Sequence, residues 1–448
     1  MEHLEQLRYS GLFESRVPRY TSYPPANRFI PAEGSLHQTR WLEAVPDDAK
    51  LSLYVHVPYC KSLCWFCACR TQAAENAKTV DAYVDILIAE ITLLKRKLPE
   101  AVQLSRLHLG GGTPTMIRPP QMERLLNAID TAFPKASGYD CSVEIDPMQV
   151  SMPALENLIT HGMSRARIGV QDFDPIVQRA IGRAQTFEQT FKVVRHLKEL
   201  GLAHLDMELL YGLPKQCASS ISETAQQVLA LDPDRVALCE YSHVPNLAKR
   251  QIMIDARGLP SAEDAFLNAQ VARHMLLTDG FETVGMDHFV KPGDSLINAR
   301  NTRTLRRDFE GYSDNASYAL IGIGASAISR FPQGYVQNAS ATSIHGKLIN
   351  QGGLAGNRGY ELTHNERVVA CMIEMLMCRF EIDIDAVHQK FPASVDFVDK
   401  LLDGLRKVYE THLKISPASM VIKKRSQPLA RMVCSTLDQL SGSNTSAY

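Results

Sequence analysis

Apolar runs of strand length alternate along this chain with longer stretches whose apolar residues recur at helical spacing. LSLYVHVP (51–58), RLHLGGG (106–112), CSVEIDP (141–147), RARIGVQ (165–171), HLDMELLYGL (204–213) and RVALCEYSHVP (235–245) read as strands. Helical patterns fall near 80–98, 119–133, 152–162, 186–201, 219–231 and 262–279, and another apolar segment, FETVGMDHF, follows at 281–289. Strands alternating with helices in this way predict parallel neighbours joined by right-handed crossovers. About six such units predict an α/β fold, a partial (β/α)6 TIM-like barrel. In a barrel of this type, reactive groups gather at the C-terminal ends of the strands. Those ends are GGGTPT (110–115), EIDP (144–147), GVQDF (169–173), YGLPKQ (211–216) and EYSHVP (240–245).

Residues 294–350 look irregular and rich in Asn, Ser and Gly around YALIGIGASAIS (318–329), and a helical pattern resumes near Leu362. The expected organisation is an N-terminal arm (1–40), a catalytic barrel with a connecting segment (41–355) and a small, mainly helical C-terminal domain (356–448). The final SGSNTSAY (441–448) is expected to be disordered.

Composition narrows the classes. A chain of 448 residues, 45% of them apolar, buries a sizeable core. Its net charge of −1 gives no global basic field for nucleic acid, and the short run IKKRSQPLAR (422–431) reads as a solvated helix start. The first residues, MEHLEQLRYSGLFESR, lack the apolar core of a secretory signal, and no stretch of 18 uninterrupted apolar residues predicts a membrane span. Ten cysteines at low density fit a reducing cytoplasm better than a disulfide framework.

Cys60, Cys64 and Cys67 follow the first strand at spacing C-x3-C-x2-C. Three thiolates on a four-iron cubane leave one iron without a protein ligand, whereas a structural cluster normally takes four. With Cys69 the run also reads as a four-cysteine zinc knuckle, but all four fall within ten residues, closer than zinc pairs usually stand. The spacing is the hallmark of radical S-adenosylmethionine (SAM) enzymes, in which the open iron chelates SAM. The resemblance extends over nearly the whole chain to the oxygen-independent coproporphyrinogen III oxidases. It rests on PRYTSYPPA (18–26), LSLYVHVPYCKSLCWFCACRT (51–71), LHLGGGTPT (107–115), GVQDFDPIVQRAIGR (169–183), YGLPKQ (211–216), GMDHFVKP (285–292) and the region 308–329.

That resemblance implies a [4Fe–4S] cluster, two SAM molecules, and oxidative decarboxylation of two propionates of coproporphyrinogen III to vinyls. It implies Cys60, Cys64 and Cys67 as cluster ligands and Cys69 as a further, non-ligating cysteine. Tyr54, Phe66, Gly111, Glu144 and Ile328 match positions at the cluster-bound SAM, and Tyr54 and Glu144 join the three cysteines as the catalytic set. Gly112, Thr113, Gln171 and Arg183, with Glu208 and Ser242, match positions at the second SAM. Plainer readings stand beside these: Phe66 as a loop hydrophobe, Glu144 as a strand-end charge, the triple glycine as a turn, Arg183 as a surface ion pair.

Four departures stand out. Glu208 replaces a usual Asp, Phe309-Glu310 a Phe-Gln pair, Ser242 a usual Ala, and Ala68 a common Gly. The two glutamates leave room for a paralogue acting on another tetrapyrrole by methyl transfer or ring opening, and a third hypothesis is a non-catalytic haem carrier. Expected partners are the tetrapyrrole, a reductant for the cluster and an electron acceptor; the expected state is a monomer. Arg19, with Tyr20 and Tyr23, reads either as an arm meeting the propionates or as a structural wedge, with Arg306 and Arg307 as further basic candidates. His56, His108, His243 and His288 read as satisfied core histidines.

Overall fold

A computed structural model describes residues 2–74 and 76–442. All but Ser441 and Gly442 of the tail expected to be disordered lies outside the described residues. The chain divides into two compact units. One comprises Phe29–Phe281 and Asn315–Glu361; the other gathers Met1–Arg28, Glu282–Asp314 and Leu362–Tyr448. The expected arm is therefore split at Arg28.

In the larger unit six successive strands run parallel: β1 (Lys50–Val57), β2 (Gln103–Gly111), β3 (Lys135–Ile145), β4 (Arg165–Gln171), β5 (His204–Tyr211) and β6 (Arg235–Glu240). They neighbour one another in chain order and are separated by helices, among them α1 (Ala77–Lys95), α2 (Pro119–Ala132), α3 (Met152–Thr160), α4 (Pro175–Ala180), α5 (Phe187–Glu199) and α6 (Ala218–Ala230). Side-chain caps start several of these. Asn76 accepts from Lys78 N at 2.8 Å, Asp174 from Ile176 N and Val177 N, and Thr186 from Gln189 N. The result is the partial (β/α)6 barrel that the alternation predicts.

The segment 294–350, expected to be irregular, is instead mostly strand and helix. Strand β7 (Ala319–Ile323) lies parallel to β1, and β8 (Ile328–Phe331), β9 (Gly334–Asn338) and β10 (Gly356–Glu361) continue the sheet antiparallel. Its glycines mark close backbone contact rather than looseness. A Cβ on Gly322 would stand 2.7 Å from Ile328 O, and one on Gly334 would collide with Tyr360 O.

The two faces of the parallel strands differ in kind. Leu107, Leu109, Val143, Ile145, Ala166, Ile168, Leu205, Met207, Val236 and Leu238 alternate along one face and are buried. The other face carries Arg106, His108, Asp140, Ser142, Glu144, Arg165, Arg167, Asp206 and Glu208. Near the strand starts Arg165 donates to Asp206 at 2.6 Å, with Arg167 3.7 Å from the same carboxylate. Arg106 and Arg165 each lie 3.8 Å from Asp140. Burial alone would raise both aspartates; Arg165 and Arg235, with Arg167 at Asp206 and Ser164 and Arg106 at Asp140, hold each below the usual carboxylate range.

The smaller unit buries Tyr20 and Tyr23 in its own apolar core with Val368, Met372, Leu376, Leu401, Leu405 and Leu437, and Tyr23 donates to Asp438 at 2.9 Å. Arg307, a basic candidate for the propionates, is only 6% exposed in its side chain, bonded to Asp287 at 3.1 Å and stacked over Tyr312. Arg306 pairs with Glu374.

Asp206→Asn would leave Arg165, Arg167 and Arg235 without their shared anion and should cost about 3–5 kcal/mol. Because Asp206 has a lower pKa folded than unfolded, its stabilisation is complete above the unfolded value and lost as pH falls through the folded one. Thermal melts below about pH 4 should therefore fall less steeply for the variant than for the wild type.

Candidate active site

The cysteine loop is tied down along its length by backbone and side chains of the barrel. Gln72 N donates to Pro58 O at 2.7 Å and Ala74 N to Cys60 O at 3.1 Å. Trp65 N donates to Ile181 O at 2.9 Å, Gln251 to Phe66 O at 2.9 Å, and Gln149 accepts from Lys61 N at 2.9 Å. Arg250 donates to Thr71 O. His56, buried at the end of β1, donates from Nε2 to Arg70 O at 3.1 Å. Since that carbonyl only accepts, neutral His56 accepts at Nδ1 from the Tyr54 hydroxyl, 2.9 Å away. Burial pushes its imidazole below the ordinary range, which favours this neutral form.

All ten cysteines are free thiols, and Cys60, Cys64 and Cys67 are each half-buried. Every one of the three has a donor from another residue. Thr113 bonds Cys60, Arg183 Nη1 lies 3.4 Å from Cys64 Sγ, and Cys69 bonds Cys67. Burial raises Cys60 and Cys64 despite Thr113 and Arg183. The Cys69 hydrogen bonds lower Cys67 to about 7, while Cys69 itself is pushed well up, first by that same bond. Among the described residues no three His, Cys, Asp or Glu side chains converge on a single ion.

The strand ends beneath the loop carry the other candidates. Glu144 accepts from Gly111 N at 3.0 Å and from His108 Nε2 at 3.4 Å, and His108 in turn accepts from Ser142 at 2.7 Å. Burial would raise this carboxyl, but His108, Gly111 N–H and Arg167 hold it below its usual value. Protein surrounds the side chain on most sides, yet 42% of its surface stays accessible, so the carboxylate lines an open concavity. Tyr54 stacks on His108 with ring centres 5.7 Å apart. Glu208 is exposed on β5, in register between Gly169 and Ala237. Its charge and that of Glu144 both act on Cys69, which brings β3, β5 and the loop to one place.

Each glycine of 110–112 is backed by a different neighbour. A Cβ would meet His108 Nε2 at 2.9 Å from Gly110, His56 Nδ1 at 2.5 Å from Gly111, and Tyr59 O at 2.6 Å from Gly112. Gly111 also has φ +110°, open to few other residues. Thr113 is buried, and its N–H donates to Tyr59 O at 2.8 Å.

Gln171 closes β4 in the left-handed region, φ +66°, with its amide over Gly169 and its buried Oε1 without a hydrogen-bond partner. Arg183 donates to Gly169 O at 2.7 Å and Gln185 at 2.9 Å, so it is an anchored interior cation and not a surface ion pair. Phe66, with Trp65, packs on the apolar cluster of Val177, Ile181, Leu210, Leu213, Tyr241 and Ile254. Ser242 is exposed just beyond β6, and Ile328 opens β8. Phe309 and Glu310 belong to the smaller unit, where Glu310 N donates to Asp308 at 2.8 Å.

One group escaped the sequence reading altogether. Glu90, on α1, has no exposed surface and accepts from Gly324 N at 2.8 Å, Asn338 at 2.8 Å and His345 at 2.9 Å. Beside it Tyr83 donates to His56 O at 3.0 Å and accepts from Ala325 N at 2.8 Å. This polar node fastens the 324–328 turn to the end of β1. Its only signal in the sequence is a Glu among the apolar positions of a helix.

These features fit the groups the cysteine spacing implies: three half-buried thiols, a glycine cradle without room for a methyl, an ionised carboxylate facing a concavity, and an orphaned buried acceptor. A partial barrel with such a loop at its strand ends defines a radical SAM enzyme, and residues 54–228 match the Radical SAM superfamily. The chain is 44% identical to the oxygen-independent coproporphyrinogen III oxidase of Paracoccus denitrificans, over 98% of its own length and 97% of that protein. It is also 44% identical to the anaerobic coproporphyrinogen III oxidase 1 of Cereibacter sphaeroides, with the same coverage. Among solved structures it matches coproporphyrinogen III oxidase HemN of Escherichia coli with TM-score 0.89 and 31% identity, covering 95% of this chain and 99% of that one. The chain belongs to the oxygen-independent coproporphyrinogen III oxidase family.

Two substitutions probe this arrangement. Cys69→Ala should leave the iron and sulfide content of the reconstituted protein unchanged, whereas Cys64→Ala should lower it, as read by colorimetric assay. Glu90→Leu strands several buried donors and should cost about 3 kcal/mol or more, with Glu90→Gln milder because it keeps one acceptor oxygen; thermal melts measure both.

Proposed function

We propose that this chain catalyses the oxidative decarboxylation of two propionates of coproporphyrinogen III to vinyls, giving protoporphyrinogen IX without oxygen. The observation that carries the reading is the match to coproporphyrinogen III oxidases over 98% of the chain, together with a thiol loop lying over Glu144 and Glu208. When bound, a [4Fe–4S] cluster and SAM supply the 5′-deoxyadenosyl radical that removes hydrogen from a propionate β-carbon.

The chain's own residues supply the setting. Cys60, Cys64 and Cys67 ligate the cluster, and Thr113, Arg183 and Cys69 give their sulfurs donors. Glu144, held ionised by His108 and Gly111 N–H, receives the SAM ammonium, and Tyr54 beside it is oriented by His56. Gln171 Oε1, Gly112 and Arg183 serve the second SAM, with Glu208 reaching from between Gly169 and Ala237. Trp65 and Phe66 close the apolar side of the loop against water. Each substrate radical loses CO2 and gives one electron to an acceptor; a separate reductant feeds the cluster. No described helix is long and apolar enough to cross a membrane, and we place the enzyme in the cytoplasm as a monomer.

Glu208 and Glu310 favour one second reading, a related radical SAM step on another tetrapyrrole. Anaerobic turnover of reconstituted protein with SAM, dithionite, an electron acceptor and coproporphyrinogen III, read by mass spectrometry, separates the two. Protoporphyrinogen with 5′-deoxyadenosine and methionine is the expected result. SAM cleavage with coproporphyrinogen returned unchanged would overturn the substrate assignment.

A further inference from the structure

The segment that follows β6 lies directly on the cysteine loop. Its short helix, Lys249–Met253, sends Arg250 to Thr71 O and Gln251 to Phe66 O. The same helix turns Ile252 and Met253 outward, 67% and 61% exposed, and Leu247 just before it is 63% exposed. Beneath, Ile254 shares an apolar cluster with Val177 of α4, whose neighbour Ile176 is also 56% exposed. Large apolar side chains so exposed and so close in sequence are unusual on a free surface.

The charge in the flanking segments is predominantly positive. Residues 60–72 contain Lys61 and Arg70 with no acid, and residues 246–258 contain Lys249, Arg250 and Arg257 against Asp255 alone. Asp255 is taken up by Arg257 at 3.0 Å, which leaves Lys61, Arg70, Lys249 and Arg250 unmatched by an acid within these two segments, in a chain whose net charge is −1. An apolar centre with a cationic surround is the anatomy of a steered, transient docking site. Weak redox encounters use small interfaces of this kind.

We propose that this face, centred on Ile252 and Met253, docks an acidic one-electron carrier protein. The inference rests on the radical SAM reading of the loop: the carrier is oxidised by one electron and the cluster beneath is reduced by one, with no proton or group transferred. Loop residues Phe66 and Thr71 connect the docking helix to the cysteines through its own hydrogen bonds.

The test uses the variant Lys249→Glu/Ile252→Asp/Met253→Asp, which spares Arg250 and every residue assigned to SAM or cluster. Acidic flavodoxin is the probe. With reduced flavodoxin as donor, SAM cleavage by the variant should fall about tenfold or more, while dithionite-driven cleavage stays at the wild-type rate. Flavodoxin affinity for the chain as purified, measured by biolayer interferometry, should weaken about tenfold in the variant and weaken with salt in the wild type. Equal flavodoxin binding and turnover in both proteins would overturn the proposal. So would no flavodoxin binding by the wild type, or an equal loss with dithionite, which would assign the face to substrate or folding. A wild type inactive with dithionite would instead overturn the reading of the loop, while the binding measurement still judged the surface.

Discussion

Charge on the inward face of the strands is the constraint from which the rest follows. Arg106, Arg165, Arg167 and Arg235 stand against Asp140 and Asp206 near the strand starts, an excess of two cations. Buried ions persist only when paired, and the next carboxylates up the same face, Glu144 and Glu208, restore the balance. Arg167 contributes to keeping Glu144 ionised, so the lower tier helps fix the protonation state of the upper one. A barrel filled with aliphatic layers would hold its shape equally well but could not offer a charged carboxylate to a ligand at its mouth.

The thiol loop completes that balance from above. Its backbone has contacts to the end of β1, to Ile181 at the end of α4, to the turn after β3 and to the segment after β6. The loop therefore inherits its position from several strands at once. Arg183 has a central place here, since one guanidinium joins Cys64, Gly169 O and Gln185.

Much of this was legible before any coordinates. The strand and helix alternation located six of the seven parallel strands and missed β7. Cys60, Cys64 and Cys67 stand out as candidates because cluster chemistry depends on local spacing. Glu90 was not, because its partners, Gly324, Asn338 and His345, lie more than 230 residues away in the chain. The strands at 319–338 were hidden for another reason. Their glycines imitate loop composition, while their actual cause, close packing on Ile328 and Tyr360, is a tertiary fact. For Arg183 the sequence left a SAM contact and a surface ion pair side by side, because its burial depends on the turn that folds it back under Gly169.

The three glycines at 110–112 carry a lesson about inheritance. Gly110 is confined by a side chain of its own strand and by Glu144, Gly111 by His56, and Gly112 by backbone at Tyr59 and Val57. Drift at these positions is blocked by walls that exist whether or not any ligand is present. Should the run prove constant across distant descendants, that constancy would record the mechanical fit of one strand to the next. Lineages that changed their chemistry altogether would be expected to keep it.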